Sequence, residues 1–201
     1  MNLLRRTRNA VGRAWLSAFG WEIEGGPPNV PKAVVVAAPH TSNWDLPFTL
    51  AVSWALDLDI RWVGKHSLFT VPVWGAFLRG LGGIGVDRRG RNDAVKSIAQ
   101  VLKDRDRLLL LVPPEGTRSQ ARRWKTGFYW IAVESEVPVV LGFLDYGRKR
   151  GGLGEVFHPT GDIEADFERL RAFYGGIRGK FPSLQGAISL GEDGAGARPG
   201  A

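Results

Sequence analysis

A chain of 201 residues is long enough to bury a core and has the length of one domain. It contains no cysteine, which excludes disulfides and thiolate metal sites. The formal net charge of +7 predicts an anionic partner, and nucleic acid and anionic membrane are the two obvious classes. Eight tryptophans favour the membrane, because indole rings accumulate at the bilayer interface.

The N-terminal segment, residues 1–24, predicts an amphipathic helix. No apolar run approaches the ~20 residues that a membrane-spanning helix needs, and Arg8 and Arg13 interrupt the hydrophobic region of a signal peptide. One face of the helix carries the apolar side chains Leu4, Val11, Trp15, Ala18 and Phe19, while most arginines lie elsewhere. The pattern is typical of a helix at a membrane interface, and equally of a helix packed on the domain with its arginines in water.

Glycines and prolines at residues 25–28 break the chain, and alternating elements follow. Residues 33–38 predict a buried strand because they are continuously apolar and rich in valine. A helix to about residue 56 comes next, with Ser42 or Asn43 as its cap. Further patterns predict strands at residues 60–63, 84–86, 108–112, 137–144 and 154–157, and helices at residues 71–81, 93–103, 128–134 and 163–173.

This alternation predicts an α/β fold, in which a single domain over residues 25–185 has a largely parallel sheet flanked by helices, preceded by the N-terminal amphipathic helix. Glycine, alanine and proline dominate residues 186–201 and predict a disordered tail. Ligands bind such folds at the carboxyl ends of the strands. Three polar segments, residues 40–45, 87–88 and 115–118, each follow a predicted strand. We therefore expect them to converge on one pocket.

His40 and Asp45 form the first of these segments. They are separated by a turn, so the carboxylate can reach back to the ring. A carboxylate on one ring nitrogen fixes the tautomer and stabilises the imidazolium that forms after proton uptake. The chain has neither a cysteine nor a Gly-x-Ser-x-Gly elbow to supply a nucleophile. The pair indicates a base that activates a hydroxyl of the substrate; a turn histidine beside a helix cap is the alternative.

Four segments in this order, residues 40–45, 82–88, 114–119 and 137–140, resemble the motifs of the glycerophospholipid acyltransferase family, whose best-known members are the 1-acylglycerol-3-phosphate acyltransferases. His40 and Asp45 match the catalytic His-x-x-x-x-Asp of that family. The remaining matches are Arg88 in the second motif, Glu115, Gly116, Thr117 and Arg118 in the Glu-Gly-Thr-Arg motif, and Pro138 in the fourth. Pro39 and Pro113 depart from the residues common in the family without removing a motif residue.

The resemblance implies an O-acyltransferase. It would move a fatty acyl chain from a thioester, of coenzyme A or acyl carrier protein, to the hydroxyl of a lysophosphatidate-like acceptor, with His40 as general base and Asp45 holding the ring. Backbone amides around Thr41 are the expected oxyanion donors. Two alternatives remain: an acyltransferase that uses another lysolipid or a glycolipid as acceptor, and a non-catalytic basic module that binds membranes.

The expected partners follow from this resemblance and from the net charge. The acceptor lysolipid, the thioester donor and an anionic membrane are expected, with the protein peripheral on the cytoplasmic face of the membrane. Neither a cofactor beyond the thioester co-substrate nor a metal is expected, because the three histidines are scattered. Nucleic acid ranks last, because the arginines do not interleave with aromatic residues on a recognisable platform.

Two arginines, Arg88 and Arg118, are the candidates to bind an acceptor phosphate, because the guanidinium fork matches phosphate oxygens. A structural ion pair, such as Arg118 with Glu115, is the alternative. Glu115 is expected to bind acceptor hydroxyls or to brace the arginines. Gly116 is expected to permit a tight turn. Lys65 is a further phosphate candidate.

Overall fold

The structure is a computed structural model that describes residues 3–86 and 91–190. The helices of this part are α1 (Leu3–Ala18), α2 (Asp45–Ala55), α3 (Pro72–Gly80), α4 (Arg91–Lys103), α5 (Gly127–Ser135) and α6 (Ile163–Tyr174). The strands are β1 (Glu22–Glu24), β2 (Lys32–Ala38), β3 (Ile60–Lys65), β4 (Gly83–Val86), β5 (Leu108–Val112), β6 (Val139–Asp145) and β7 (Arg150–Phe157). Short 3-10 helices lie at His66–Leu68 and Pro182–Leu184.

One sheet of seven strands has the order β1-β7-β6-β2-β5-β3-β4. Among these strands only β6 and β7 pair antiparallel. The central strand β2 lies between β5 and β6, where Val35 is level with Leu111 on one side and Val140 on the other. The predicted α/β fold with a largely parallel sheet is confirmed.

The two faces of the sheet carry different helix layers. Side chains alternate along a strand, so Val34 and Val36 of β2 face the layer of α4, α5 and α6. Ala33 and Val35 face the opposite layer, on whose side α1, α2 and α3 pack. The first layer closes over a continuous core that includes Leu102, Phe128, Phe167 and Leu170. Each such buried side chain contributes about 1.5–3 kcal/mol.

Strand β1 falls within residues 1–24, which were predicted as one helix, whereas α1 ends at Ala18. Strand β7 begins earlier than the predicted strand at residues 154–157. Glu22 to Glu24 pair in parallel with Arg150 to Gly152 of β7. A Cβ at Gly152 would lie 1.7 Å from the carbonyl oxygen of Glu24, so only glycine lets the two backbones approach. Gly152, which lies before the predicted strand at residues 154–157, therefore serves a strand contact at the sheet edge.

The predicted cap of α2 is wrong. Trp44 occupies the N-cap without a side-chain cap hydrogen bond, and Asp45 is the first helical residue. Ser42 instead accepts a hydrogen bond from the Trp44 N–H, at 3.1 Å to its Oγ. The physical reason is that the Asp45 carboxylate points back into the preceding loop.

Helix α1 packs on α2 through a glycine, a leucine and a polar side chain. Gly12 and Leu16 are its buried residues, and Asn9 donates to the carbonyl oxygen of Ala55 at 2.8 Å. The apolar side chains that stay exposed are Leu3, Leu4, Val11 and Phe19. The predicted packing of the helix on the domain is therefore confirmed. The exposed apolar side chains are available to a membrane interface, and that role stays a prediction.

The segment predicted as a disordered tail begins with contacts to the domain. The Trp124 N–H donates to the carbonyl oxygen of Ala187 at 3.1 Å, and Arg171 donates to that of Ile188 at 3.0 Å. The rest of that prediction, residues 191–201, falls outside the described residues. Within the described ranges, no helix combines the length and apolar character needed to cross a bilayer.

The α1–α2 contact gives a stability test. A Cβ at Gly12 would lie 2.5 Å from the Ala51 carbonyl oxygen, so Gly12→Ala must push the helices apart. We expect a net loss of about 1–3 kcal/mol despite the ~1 kcal/mol that alanine gains in a helix. The control is Gly80→Ala, where nothing lies within 4 Å of the new Cβ. Urea unfolding measures both; equal stability of the two variants would contradict the packing.

Candidate active site

The His40 loop, residues 39–45, joins β2 to α2 and is organised by the Asp45 carboxylate. His40 Nδ1 lies 3.0 Å from Asp45 Oδ2. The same oxygen accepts the N–H groups of Thr41 and Ser42, both at 2.9 Å. A carboxylate can only accept, so Nδ1 of the neutral ring carries its hydrogen and Nε2 is left as the basic nitrogen.

Tyr146 completes the arrangement around Asp45. Its hydroxyl donates to Asp45 Oδ1 at 2.9 Å, across a separation of 101 residues. Burial, followed by the nearby Asp45 charge, raises the pKa of Tyr146 far above its usual value, so the hydroxyl keeps its proton. The sequence alone did not reveal this residue. The available signal was its position directly after β6, at the same sheet edge as His40.

Glu115 fixes the loop from the opposite side. It is 2% exposed, and its Oε2 accepts the backbone N–H of His40 at 2.9 Å. Oε1 is buried without a hydrogen-bond partner among the described residues. Burial raises the pKa of Glu115 to about 7, although the His40 N–H opposes the shift. The structure thus gives Glu115 a contact with the loop backbone, where sequence analysis expected acceptor hydroxyls or the arginines.

The expected oxyanion donors are already engaged. The amide of Thr41 and that of Ser42 both donate to Asp45, and the amide of His40 donates to Glu115. These three amides are therefore engaged within the loop, and a donor to the tetrahedral oxyanion among the backbone amides around Thr41 stays a prediction.

A cavity of about 410 Å³ opens beside His40, between the sheet and α2. Its interior is lined by apolar side chains, including Val35, Val52, Ile60, Leu111 and Leu153. Its polar lining comes from the carboxyl ends of the strands and includes His40, Lys65, Thr117, Arg118 and Ser119. The cavity therefore extends from the His40 loop back along the apolar face of the sheet.

The predicted site residues have different positions relative to this cavity. Lys65, Gly116, Thr117 and Arg118 line it together with His40 and Asp45. Gly116 has φ +65°, as a tight turn requires, and a Cβ there would meet the Lys125 ammonium at 3.0 Å. Glu115 lies behind the His40 loop. Arg88 falls outside the described residues.

The cations at the cavity are exposed and available. Lys65 and Arg118 are exposed, and the described parts of the chain contain no ion pair between Arg118 and Glu115 or another carboxylate. The alternative of a structural ion pair is therefore not realised there. No group of three or more metal-ligating side chains occurs within residues 3–86 and 91–190.

Comparison with known families agrees with this geometry of a His–Asp pair at the mouth of an apolar cavity. The family model described as Acyltransferase matches residues 24–140, more than half of the chain. The chain belongs to this acyltransferase family, and the family expected from the motifs is confirmed.

Relatives with curated names agree. A 1-acyl-sn-glycerol-3-phosphate acyltransferase of Haemophilus influenzae is 28% identical over 130 residues, which are 61% of this chain and 53% of that protein. The Escherichia coli protein of the same name is 29% identical over 130 residues, 61% of this chain and 52% of that protein. The chain spans about half the length of these relatives.

A solved structure supports the fold. The 1-acyl-sn-glycerophosphate (LPA) acyltransferase PlsC of Thermotoga maritima superposes with a TM-score of 0.58 and 21% identity, over 88% of this chain and 81% of that chain. At this level of identity the similarity establishes the α/β architecture.

The pKa of Glu115 predicts a pH-dependent stability. Because the folded-state pKa is raised from 4.5 to about 7, the contribution of Glu115 is fully present below about pH 4.5 and is lost as the pH rises through about 7. Since one pKa unit corresponds to about 1.4 kcal/mol, the loss is about 3 kcal/mol. Glu115→Gln keeps an acceptor for the His40 N–H and removes the charge.

We expect the Glu115→Gln variant to lose less unfolding free energy than the wild type between pH 5 and pH 8. Urea unfolding at several pH values measures this, with Glu155→Gln, at an exposed position, as the control. Identical pH profiles for wild type and Glu115→Gln would contradict the assignment.

Proposed function

We propose that this chain is an O-acyltransferase that moves a fatty acyl chain from a thioester to the hydroxyl of a lysophosphatidate-like acceptor, with His40 as general base. One observation carries the proposal. A single cavity brings the Asp45-held histidine together with an apolar interior and with the exposed cations Lys65 and Arg118. The names of the matched relatives support the same reaction class.

The arrangement suits transfer to a hydroxyl. His40 Nε2 takes the acceptor proton as the oxygen attacks the thioester carbonyl, and the new C–O bond forms in a tetrahedral intermediate. The C–S bond then breaks, and the imidazolium returns the proton to the leaving thiolate. Asp45 stabilises the imidazolium throughout, because its carboxylate stays hydrogen-bonded to Nδ1.

The apolar part of the cavity supports a fatty acyl substrate. It is lined from Lys65 at the end of β3 back to Ile60 at its start, a distance of about 17 Å at the usual rise of a strand. Its volume falls in the range of small-molecule sites, roughly 300–1,000 Å³. A chain of methylene groups placed there would be removed from water at about 0.8 kcal/mol for each CH₂.

The cationic part supports an acceptor that carries a phosphate. Arg118 and Lys65 line the cavity, and an arginine fork can hold two phosphate oxygens. Arg88 remains a predicted third contributor. Another lysolipid or a glycolipid acceptor would use the same base but depend less on Arg118.

The remaining partners belong to the same proposal. The donor is a thioester of coenzyme A or acyl carrier protein, and no other cofactor is required for the step. The exposed apolar side chains and arginines of α1 support peripheral binding to an anionic membrane. We place that membrane contact on the cytoplasmic face.

Loss of the base tests the mechanism. We expect His40→Ala to reduce thioester-dependent acylation by a factor of about 10²–10⁴ without unfolding the protein. Asp45→Asn is expected to be severe as well, and the double variant to be little worse than the worse single variant, because the pair acts as a unit. Product formation from acyl-coenzyme A and lysophosphatidate, followed by mass spectrometry, measures the rates.

The matched control is His158→Ala, an exposed histidine that does not line the cavity. It should keep wild-type turnover. A folded His40→Ala variant with near-normal turnover would refute the proposed role of His40.

Arg118 tests the acceptor. We expect Arg118→Ala to reduce kcat/KM for lysophosphatidate by roughly ten-fold to a hundred-fold, because a charge-assisted bond to phosphate contributes about 1.5–3 kcal/mol. Slow hydrolysis of the thioester by water should change much less, since water does not use that contact. Arg118→Lys should recover only part of the loss, because lysine lacks the fork.

Steady-state kinetics with lysophosphatidate and with a matched monoacylglycerol measure the difference, and Arg122→Ala, an exposed arginine outside the cavity lining, is the control. If the wild type accepts both substrates equally, and Arg118→Ala affects both equally, the phosphate assignment is wrong. The acceptor would then belong among neutral lysolipids or glycolipids.

A further inference from the structure

A cluster of exposed apolar side chains lies on α3 and the segment before it. We call it the α3 face; it comprises Leu68, Val71, Val73, Trp74 and Phe77. Val73 is 84% exposed, and the other four are between 42% and 53% exposed. Soluble proteins rarely leave large apolar side chains grouped in this way unless the group contacts a partner.

The exposure follows from how α3 packs. Gly75 and Leu78 are its buried residues, and a Cβ at Gly75 would lie 2.3 Å from the Phe69 carbonyl oxygen. The helix therefore rests on the domain through its glycine side. The rings of Trp74 and Phe77 are tilted against each other with their centroids 5.4 Å apart, and each side chain is about half exposed.

The segment that carries the α3 face is basic. From the start of β3 to the end of β4 the sequence contains Arg61, Lys65 and Arg79 and no aspartate or glutamate. Arg61 forms an ion pair with Asp59 at 3.6 Å, which leaves Lys65 and Arg79 as the cations of this segment that count toward lipid binding. An apolar surface with tryptophan and phenylalanine beside cations is the combination that binds anionic lipid at the level of the headgroups. An anionic bilayer is therefore the occupant that charge and composition favour.

The α3 face also adjoins the cavity. Leu68 belongs to the α3 face and lines the cavity beside Lys65. Helices α1 and α3 lie in the same layer, where one crevice is lined by Arg8 of α1, Trp54 of α2 and Gly80 of α3. The exposed apolar side chains of α1 and the α3 face thus belong to one side of the sheet.

We propose that the α3 face docks on an anionic lipid bilayer, as a second contact besides α1, so that the cavity opens next to the lipid at Leu68. The docking is a property of the surface and holds whatever reaction the cavity performs. The consequence for catalysis rests on the proposed function: an acceptor lysolipid would pass from the bilayer to His40 without crossing bulk water.

The absence of cysteine makes a direct test possible. A single cysteine is introduced by Val73→Cys and labelled with a fluorophore whose emission shifts to the blue in apolar surroundings. The control is Val156→Cys, an exposed valine on β7. Vesicles of phosphatidylglycerol and phosphatidylcholine in equal parts are added, and acyl carrier protein is added in a separate experiment.

We expect a blue shift at position 73 with the vesicles, none at position 156, and none with acyl carrier protein. The absence of a shift at position 73 would overturn the proposal, and so would a shift with acyl carrier protein alone, which would make the surface a protein contact. Neither readout uses enzymatic activity, so failure here is distinct from failure of the acyl-transfer proposal.

A charge variant provides an independent measurement. Val73→Glu places a carboxylate in the first turn of α3, where the helix dipole favours it, so the helix should persist. We expect co-sedimentation with the same vesicles to weaken about ten-fold relative to the Val156→Glu control, since a glutamate cannot enter the apolar layer. Equal co-sedimentation of the two folded variants would overturn the proposal.

Discussion

The Asp45 carboxylate is the interaction on which the site depends. It accepts four hydrogen bonds, from the His40 ring, from the amides of Thr41 and Ser42, and from the Tyr146 hydroxyl. The ring and both amides belong to its own loop, whereas Tyr146 follows a neighbouring strand. One buried side chain therefore fixes the backbone of the loop, the orientation of the ring and the tautomer of the histidine.

The same loop is attached to three adjacent strands. His40 follows β2, Glu115 follows β5 and Tyr146 follows β6, and β6, β2 and β5 are neighbours in the sheet. Glu115 holds the His40 amide from one side, while Tyr146 holds the carboxylate from the other. A displacement of either strand end would shift the ring relative to the cavity, so the sheet itself positions the base.

The two helix layers serve different purposes. The layer of α4, α5 and α6 covers its side of the sheet with a closed core. On the other side, α1 and α3 pack through glycines at positions 12 and 75, and the space between α2 and the sheet remains open as the cavity. The sheet is thus covered by a closed core on one side and carries the cavity on the other.

The elements that show a hydrophobic period, and the site residues that follow predicted strands, were predictable from the sequence. The order of strands and helices, the His40–Asp45 pair and the position of Arg118 at a strand end all follow from local patterns. Tyr146 and the contact of Glu115 with the His40 amide did not, because they join residues 101 and 75 positions apart. Strand β1 was not predicted because three residues are too few to show a hydrophobic alternation, and its partner strand is rich in glycine.

The central claim is that Asp45 holds His40 with Nε2 free to act as a base. The most direct measurement is the tautomer of His40, from ¹⁵N NMR of protein labelled at its three histidines, with the His40→Ala variant used to assign the signals. At a pH where the ring is neutral, the account predicts a protonated Nδ1 and an unprotonated Nε2. A neutral ring that carries its proton on Nε2 would contradict the account, because Asp45 would then not receive the hydrogen bond on which the site is built.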